Sequence, residues 1–391
     1  MKRIAVVSAT YRYLPAGEHI VDRFLVGYPS KGTWRHPDMK VVSCYVDQKP
    51  ADDQSAERAR EFGFTVYPTV AEALRCGGAR LAADAVLLIG EHGDYQRNDL
   101  GQVLRPQHEW FRQCVDVFEK DGRAAPLYID GPLSHSFEQA KWMVDASHRL
   151  KFSMLAGSSL PVTWRLPDLE LPLNCQVDSA VMVGIDVSET ISFHALEAMQ
   201  CMIERRAGGE TGVKAVQMIE GDAVWKSGEE GRWSKELLTS ALSRSDSPRG
   251  WSVTDGRTQD LVGNNELPRL VKRPAACFIE YGDGLRAALL MLNGAVNDFT
   301  FAARLKGPAR KVSTQFLRLP APNSSHTAPL AAKIEELFET GRAPYPVERS
   351  LLVAGILESC LKSRASGGKR IETPHLKVRY RAPKESQHAR A

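Results

Sequence analysis

Two carboxylates and an imidazole lie within four residues in the stretch GEHGDYQRNDLGQ (90–102). Glu91, His92 and Asp94 directly follow ADAVLLIG (83–90), the most apolar run of the chain. Acids and imidazoles act in general acid–base catalysis, and they also bind divalent metals. We interpret Glu91 and His92 as catalytic and Asp94 as substrate-binding. We expect no metal, although the same three residues are the candidate ligands. The alternative is a polar loop that caps the next helix.

A further acid, Asp130, ends the apolar run PLYID (126–130) and is followed by Gly131 and Pro132. Glycine and proline make a good turn from a strand into a helix, so the turn alone explains these two residues. It explains the acid less well, because a carboxylate near a closed cleft needs a partner. We therefore interpret Asp130 as catalytic.

An imidazole lies in ETISFHALEAMQCM (189–202), whose spacing predicts a helix. At about 100° per residue one face of this helix is polar and the opposite face is apolar. The polar face carries Thr190, His194, Glu197 and Cys201. A solvated surface is the competing interpretation. We expect the preceding strand to aim this face at a cleft, which makes His194 catalytic and Thr190 substrate-binding.

An arginine, Arg165, lies in GSSLPVTWRLPDLELP (157–172), where the chain leaves its first half. A guanidinium there is suited to hold a polyol or an anionic substrate. An ion pair between two domains is the alternative. Arg165 is therefore a candidate substrate-binding residue.

Residues 1–150 alternate short apolar runs with amphipathic helical stretches. The apolar runs include RIAVVSA (3–9), KVVSCYVD (40–47), ADAVLLIG (83–90) and PLYID (126–130). Continuous apolar strands separated by helices predict a parallel sheet covered on both faces. The first domain is thus predicted to be α/β, with a Rossmann-like, doubly wound parallel sheet whose ligands bind outside the carboxyl ends of the strands.

The rhythm changes from about residue 151. Longer β-runs are predicted at 179–186, 212–225, 275–294 and 298–307, and helices at 188–206, 329–339 and 346–368. Consecutive strands with a few helices predict an α+β domain over 151–380, with an open, mostly antiparallel sheet. The basic stretch 381–391 is predicted to be a disordered tail.

The composition is that of a soluble globular protein, with 391 residues and a net charge of +4. No dense basic patch interleaved with aromatic residues indicates nucleic-acid binding. The seven cysteines form no C-x-x-C pair, which is typical of reduced thiols in the cytoplasm. No run of about 18 apolar residues predicts a membrane span. We expect a cytoplasmic protein without nucleic-acid or membrane partners.

Taken together, the chain resembles the Gfo/Idh/MocA superfamily over most of its length. PLYIDGPLSHSFEQAKWMVDAS (126–147) is similar to the family's strand, E-K-P turn and helix. ETISFHALEAMQCM (189–202) is similar to its D-x-G-x-H helix start, and VERSLLVAGILESCLKSRASGGKRIETP (347–374) to its closing helix. The resemblance implies a Rossmann-like domain followed by an α+β domain with an open sheet. It also implies an NAD(P)-dependent oxidoreductase acting on a sugar, cyclitol or related polyol, and commonly a homo-oligomer. Such oligomers usually form through the open face of the second-domain sheet, and the β-runs at 275–307 are the candidate surface.

The sequence departs from the family at its motifs. Asp130 replaces the glutamate and Gly131 the lysine of E-K-P, while Thr190 and Ser192 replace the aspartate and glycine of the second motif. The resemblance leaves His194 to move the proton.

The phosphate-binding fingerprint G-x-G-x-x-G is also missing after the first strand, in VVSATYRYLPAGEH (6–19). The small residues there and the acid that ends the second strand still offer a route to NAD or NADP. The candidate cofactor-binding residues are Ser8, Ala9, Thr10, Asp47 and Gly90.

Three functions stay open at this point. The first is the oxidoreductase that the family implies. The second is a redox-neutral lyase, isomerase or hydrolase that uses the same acids and imidazoles, with a divalent metal as a further cofactor. The third is a binding protein that kept the fold without the chemistry. The first two require residues near 91–94, at 130 and at 194 to converge on one hollow between two lobes.

Overall fold

A computed structural model describes residues 1–13, 16–246, 260–307, 310–319 and 324–390. The chain forms two compact units. The first comprises residues 1–162 and 319–354, and the second comprises 163–318 and 355–390. The sequence-based boundary at residue 150 therefore lies short of the structural one. Residues 319–354, which we had assigned to the second domain, belong to the first unit.

The first unit is built on a six-stranded parallel sheet with the strand order β5-β4-β1-β6-β7-β8. Its strands are β1 (Lys2–Ser8), β4 (Met39–Val46), β5 (Thr65–Tyr67), β6 (Ala85–Ile89), β7 (Leu127–Asp130) and β8 (Met154–Gly157). A separate hairpin pairs β2 (Tyr28–Ser30) with β3 (Thr33–Arg35). Numbered within the sheet alone, this order is 3-2-1-4-5-6, which confirms the predicted doubly wound Rossmann-like sheet.

Helices connect these parallel strands. They are α1 (Ala16–Leu25), α2 (Ser55–Phe62), α3 (Val70–Arg75), α4 (Gln107–Asp121) and α5 (Phe137–Arg149), joined later in the chain by α10 (Ala328–Thr340). In α4 the apolar residues Trp110, Cys114 and Phe118 recur at helical spacing and are buried. The helix ends at Gly122, whose φ of 65° favours glycine. The helix α11 (Glu348–Ala365) begins in the first unit and ends in the second.

The second unit contains an eight-stranded sheet in the order β16-β11-β12-β13-β10-β14-β15-β9. Its strands are β9 (Arg165–Leu166), β10 (Val177–Gly184), β11 (Val213–Glu220), β12 (Pro274–Tyr281), β13 (Arg286–Leu292), β14 (Phe299–Leu305), β15 (Arg310–Phe316) and β16 (Ile371–Glu372). Among the described strands of this sheet, β10 and β13 alone pair in parallel. The predicted open, mostly antiparallel sheet is confirmed.

The predicted β-run at 212–225 is wrong in its second half. The strand β11 stops at Glu220, and Gly221, with φ 67°, leads into α7 (Asp222–Glu229). Asp222 in the first turn suits a helix start, because the N-terminal end of the helix dipole is positive. The other helices of this unit are α6 (Glu189–Ile203), α8 (Lys235–Leu242) and α9 (Leu267–Leu270).

Helices of the second unit pack on both faces of its sheet. Val181 and Val183 of β10 share a buried cluster with Leu237 and Leu238 of α8. On the other face, a Cβ atom added at Gly184 would lie 3.3 Å from the Cβ of Ala195 in α6. Side chains alternate between the two faces along a strand, so α8 and α6 cover opposite faces.

The C-terminal segment 381–390, predicted to be a disordered tail, makes side-chain contacts with the rest of the second unit. The His388 imidazole is buried, with Nδ1 2.9 Å from Glu170 and Nε2 2.6 Å from Asp168. Arg205 donates to the carbonyl of Pro383. The composition shows that this segment is basic, but it does not show which carboxylates the segment contacts. The last residue of the predicted tail, Ala391, lies outside the described residues.

Within those described ranges, no helix combines the length and apolarity needed to cross a membrane.

Candidate functional site

The carboxyl ends of β6 and β7 bring together two acids of the first unit. The strands are adjacent and parallel, with Ile89 paired to Asp130. Glu91 follows the end of β6, and Asp130 ends β7. Both are buried, with exposed fractions of 8% and 6%. Ligands of doubly wound sheets bind at this edge, so the two acids lie where the fold places its chemistry.

The Glu91 carboxylate lies beside Gly131. A Cβ atom added at Gly131 would be 3.1 Å from Glu91 Oε1, and Gly131 has a φ of 73°. Glu91 Oε1 is buried, and no donor among the described residues reaches it. A buried acceptor without a donor is rare in native structures and favours a ligand that supplies one. The carboxylate thus occupies the space next to the position where the E-K-P motif has its lysine.

The backbone around Asp130 is fixed by residues that sequence reasoning missed. Gln107 donates from Nε2 to the Asp130 carbonyl at 2.8 Å. The hydroxyl of Tyr128 donates to the carbonyl of Gly157 at 2.8 Å and lies 3.2 Å from Asp130 Oδ1. Gly90 permits this arrangement, because a Cβ atom there would lie 2.2 Å from Gln107 Cγ. Gly90 therefore has a packing role in addition to its predicted role in cofactor binding.

His92 is half-exposed, and its Nε2 lies 3.8 Å from Glu91 Oε2. Its backbone has a φ of 67°, and its carbonyl accepts a hydrogen bond from Arg12 at 3.3 Å. Desolvation by the surrounding protein lowers the pKa of His92, and Arg105 and Arg12 lower it further against the opposing effect of Glu91. The imidazole is therefore neutral at pH 7 and able to accept a proton.

The acid at the end of the second strand, Asp47, accepts two hydroxyl groups. Tyr45 donates to Oδ1 at 2.8 Å, and Tyr95 donates to Oδ2 at 2.9 Å. The side chain of Gln48 bonds both the amide and the carbonyl of Asp94, at 2.9 and 3.0 Å. The Asp94 side chain itself is exposed. Tyr45, near the end of β4, and Asp47, just after it, are two residues apart, and this spacing was a signal in the sequence. The approach of Tyr95 left no such signal.

The predicted cofactor residues that follow β1 are buried and held by neighbouring backbone. Ala9 donates to Ile89 at 2.8 Å, and the carbonyl oxygens of Ser8 and Ala9 accept from Asp47 and Gln48. The Ser8 hydroxyl donates to the Thr10 carbonyl at 2.7 Å. Thr10 Oγ1 is buried and has no hydrogen-bond partner within the described residues.

The remaining predicted residues belong to the second unit. Arg165 is enclosed there: its Nη1 donates to the carbonyl of Leu169 at 2.9 Å and lies 3.4 Å from Glu170, and its guanidinium lies over the Phe316 ring. These contacts hold the guanidinium inside the second unit, and substrate binding by Arg165 stays a prediction. Arg165 and Glu170 both belong to the second unit, so their ion pair lies within one unit.

The helix α6 differs from its expected amphipathic pattern. Residues 195–203 are all buried, including Glu197 and Cys201 of the predicted polar face. Thr190 and His194 are partly exposed. The periodicity separated polar from apolar side chains correctly but could not show that protein covers both faces. The convergence of His194 with Asp130 stays a prediction.

No three His, Cys, Asp or Glu side chains among the described residues lie close enough together to hold a metal ion. Of the three candidate ligands, Glu91 and His92 form a pair, and the side chain of Asp94 is exposed.

No protein-family model matches the sequence, and no curated protein is similar to it in sequence. Solved structures are similar in fold. GenD2 from gentamicin A biosynthesis, solved with NAD, superposes with a TM-score of 0.58 at 14% identity, over 95% of this chain and 96% of that chain. A probable dehydrogenase from Thermotoga maritima gives 0.57 at 10%, over 96% and 99%. Myo-inositol dehydrogenase from Lactobacillus casei, solved with NAD(H) and myo-inositol, gives 0.54 at 12%, over 95% and 96%. These similarities confirm the predicted fold, a Rossmann-like domain followed by an α+β domain with an open sheet.

Proposed function

We propose that this chain, which has the Gfo/Idh/MocA fold, is an oxidoreductase that oxidises a hydroxyl group of a sugar, cyclitol or related polyol with a nicotinamide cofactor. The observation that carries the proposal is the buried Glu91 carboxylate, with one oxygen that no described donor reaches, at the carboxyl edge of a doubly wound sheet. The NAD and myo-inositol complexes of proteins with this fold support the choice of cofactor and substrate class.

Oxidation of an alcohol removes a proton from oxygen and a hydride from carbon. A bound nicotinamide ring supplies the hydride acceptor. In this proposal Glu91 Oε1 accepts the hydroxyl proton, with neutral His92 as the next acceptor. Asp130 orients the reacting hydroxyl. His194 is a second proposed catalytic residue, and Thr190 and Asp94 are proposed to bind the other hydroxyl groups of the substrate. A base that accepts the proton in the transition state contributes about 10²–10⁴ in rate.

The residues of the first unit are chemically suited to a dinucleotide. Asp47 ends the second strand of the sheet and already accepts two hydroxyl groups, as it would accept those of a ribose. The buried Thr10 hydroxyl has no partner within the described residues and is available to a phosphate oxygen. We propose that Ser8, Ala9, Thr10, Asp47 and Gly90 hold the cofactor. NAD is preferred to NADP, because a carboxylate at this position repels a 2′-phosphate.

The test is NADH formation by the purified protein across a panel of cyclitols and sugars, with Glu91→Gln beside it. We expect Glu91→Gln to lower kcat by about 10²–10⁴. Asp99→Asn is the matched control, because it makes the same change at an exposed position of the same loop. We expect its kcat to stay within about twofold. Exchange of substrate protons without NADH formation would indicate a redox-neutral reaction and would contradict the proposal.

A further inference from the structure

The loop that carries Glu91 and His92 folds back over the ends of β1 and β4. Gln48 holds Asp94 through two hydrogen bonds, and Arg12 donates to the His92 carbonyl. Tyr95, the residue after Asp94, donates a hydrogen bond from its hydroxyl to Asp47 at 2.9 Å. Desolvation, followed by the hydrogen bond to Asp47, raises the pKa of Tyr95 above its usual range, so the hydroxyl stays a donor at neutral pH.

The local sequence is suited to this position of Tyr95. A Cβ atom added at Gly93 would lie 2.2 Å from Tyr95 Cε2, which no side chain at 93 could tolerate without moving the ring. Glycine two residues before the tyrosine therefore lets the ring lie against the loop backbone. Gly93 thus makes room for the ring, whose hydroxyl bonds the exposed Asp47 carboxylate.

In doubly wound sheets the acid at the end of the second strand binds the ribose hydroxyls of a dinucleotide. Here one oxygen of that acid is bonded to Tyr95. Tyr45 bonds the other oxygen from β4, the strand that leads directly into Asp47. Only Tyr95 reaches Asp47 from the loop that carries the proposed catalytic residues.

We infer that the Tyr95 hydroxyl takes the position of a cofactor ribose hydroxyl, so that a dinucleotide must displace Tyr95 from Asp47 in order to bind. The inference rests on the proposed function, because it assumes a dinucleotide at this edge. Tyr95 is thus a positioning residue: bound to Asp47 it holds the loop of Glu91 and His92 in one arrangement, and cofactor binding releases that loop.

The test is calorimetric titration with three probes: NAD, ADP-ribose and nicotinamide mononucleotide. Tyr95→Phe removes the competing hydroxyl, and Gly93→Ala displaces the same ring without altering the tyrosine. We expect both variants to bind NAD and ADP-ribose about tenfold more tightly than the wild type, at the low end for a hydrogen bond to a charged group. Binding of nicotinamide mononucleotide, which lacks the adenosine ribose, should stay within about twofold.

Tyr45→Phe is the matched control, because it removes the other hydroxyl from the same carboxylate, and we expect no gain in affinity from it. Hydrogen exchange gives a second measurement: NAD should increase exchange at the Asp94 amide, which Gln48 now holds. Unchanged or weaker NAD binding by both loop variants overturns the inference and leaves the proposed function intact. If neither the wild type nor any variant binds NAD or ADP-ribose, the proposed function fails and the inference fails with it.

Discussion

Glu91 and Gly131 together set the charge of the proposed reaction centre. The E-K-P motif that the sequence resembles has a lysine at the position of Gly131, whereas here the Glu91 carboxylate lies 3.1 Å from the point where a side chain would begin. An ammonium group donates a proton or stabilises an oxyanion, and a carboxylate accepts a proton. At the scale of single residues, the site is therefore suited to removing a proton from an alcohol.

Glu170 provides a second residue-scale prediction, on stability. Burial alone would raise its pKa, but the hydrogen bond from His388, the charge of Arg165 and contacts with Ser386 and Arg205 outweigh burial and lower the pKa to about 2. A carboxyl with a lowered pKa in the folded state stabilises the fold above its unfolded pKa. This stability is lost as the pH falls through the folded pKa.

We expect Glu170→Gln to lower the free energy of unfolding by roughly 3 kcal/mol at pH 7, from a shift of about two and a half pKa units. The difference from the wild type should shrink as the pH falls from about 5 towards about 2. Urea unfolding across this range measures it. Glu385→Gln, at an exposed position of the C-terminal segment that contacts Glu170 through His388, is the control. A difference in the free energy of unfolding that does not depend on pH would contradict the lowered pKa of Glu170.

At the scale of elements, the turn from β7 into α5 positions Glu91. Gly131 has a φ of 73° and faces the Glu91 carboxylate. Gly122, at the end of α4, has a φ of 65° and no atom within 4 Å of an added Cβ. The two glycines have nearly the same φ angle, but only Gly131 has a side chain next to it. They therefore form a matched pair for substitution.

We expect both Gly131→Ala and Gly122→Ala to lower the free energy of unfolding by about 1–2 kcal/mol, the cost of a left-handed non-glycine residue. Only Gly131→Ala should also lower kcat, because its methyl group displaces Glu91. Thermal unfolding and steady-state kinetics on both variants measure the two effects. Equal kcat values for the two variants would show that Glu91 takes no part in the reaction.

The sequence predicted elements better than it predicted their partners. Periodicity placed the strands of the first unit and the acids at their ends, because both follow from local alternation. Tyr95 and Asp47 are 48 residues apart, so no local pattern could pair them. The same holds for His388 and Glu170, whose contact involves the C-terminal segment. For Glu197 the local pattern itself was misleading. This residue lies on the polar face of a regular helix, yet its side chain is buried.

At the scale of the whole molecule, α7 and α8 bear on assembly. The resemblance implied oligomers formed through the open face of the second sheet, with 275–307 as the surface. In the structure Ala276, Phe278 and Leu290 of that sheet pack with Leu237 of α8. This face is covered by the chain itself. A homo-oligomer stays a prediction, and we expect it to use another surface.

Leu237→Ala tests this arrangement. Leu237 is fully buried, so its truncation should lower the free energy of unfolding by about 2–5 kcal/mol and leave the sedimentation coefficient unchanged. Glu236→Ala, on the same helix, removes only exposed ion pairs to Arg304 and Lys311 and should cost less than about 1 kcal/mol. Sedimentation velocity and urea unfolding provide both readings. Dissociation of an assembly by Leu237→Ala without loss of stability would show that the sheet face is an interface.

The most direct test of the account is an equilibrium titration of the wild-type protein with NAD. A doubly wound sheet with Asp47 at the end of its second strand and Glu91 at the reaction edge predicts saturable binding of one NAD per chain, with NADP bound more weakly. The absence of binding to NAD at millimolar concentration, in protein shown to be folded, would contradict the account.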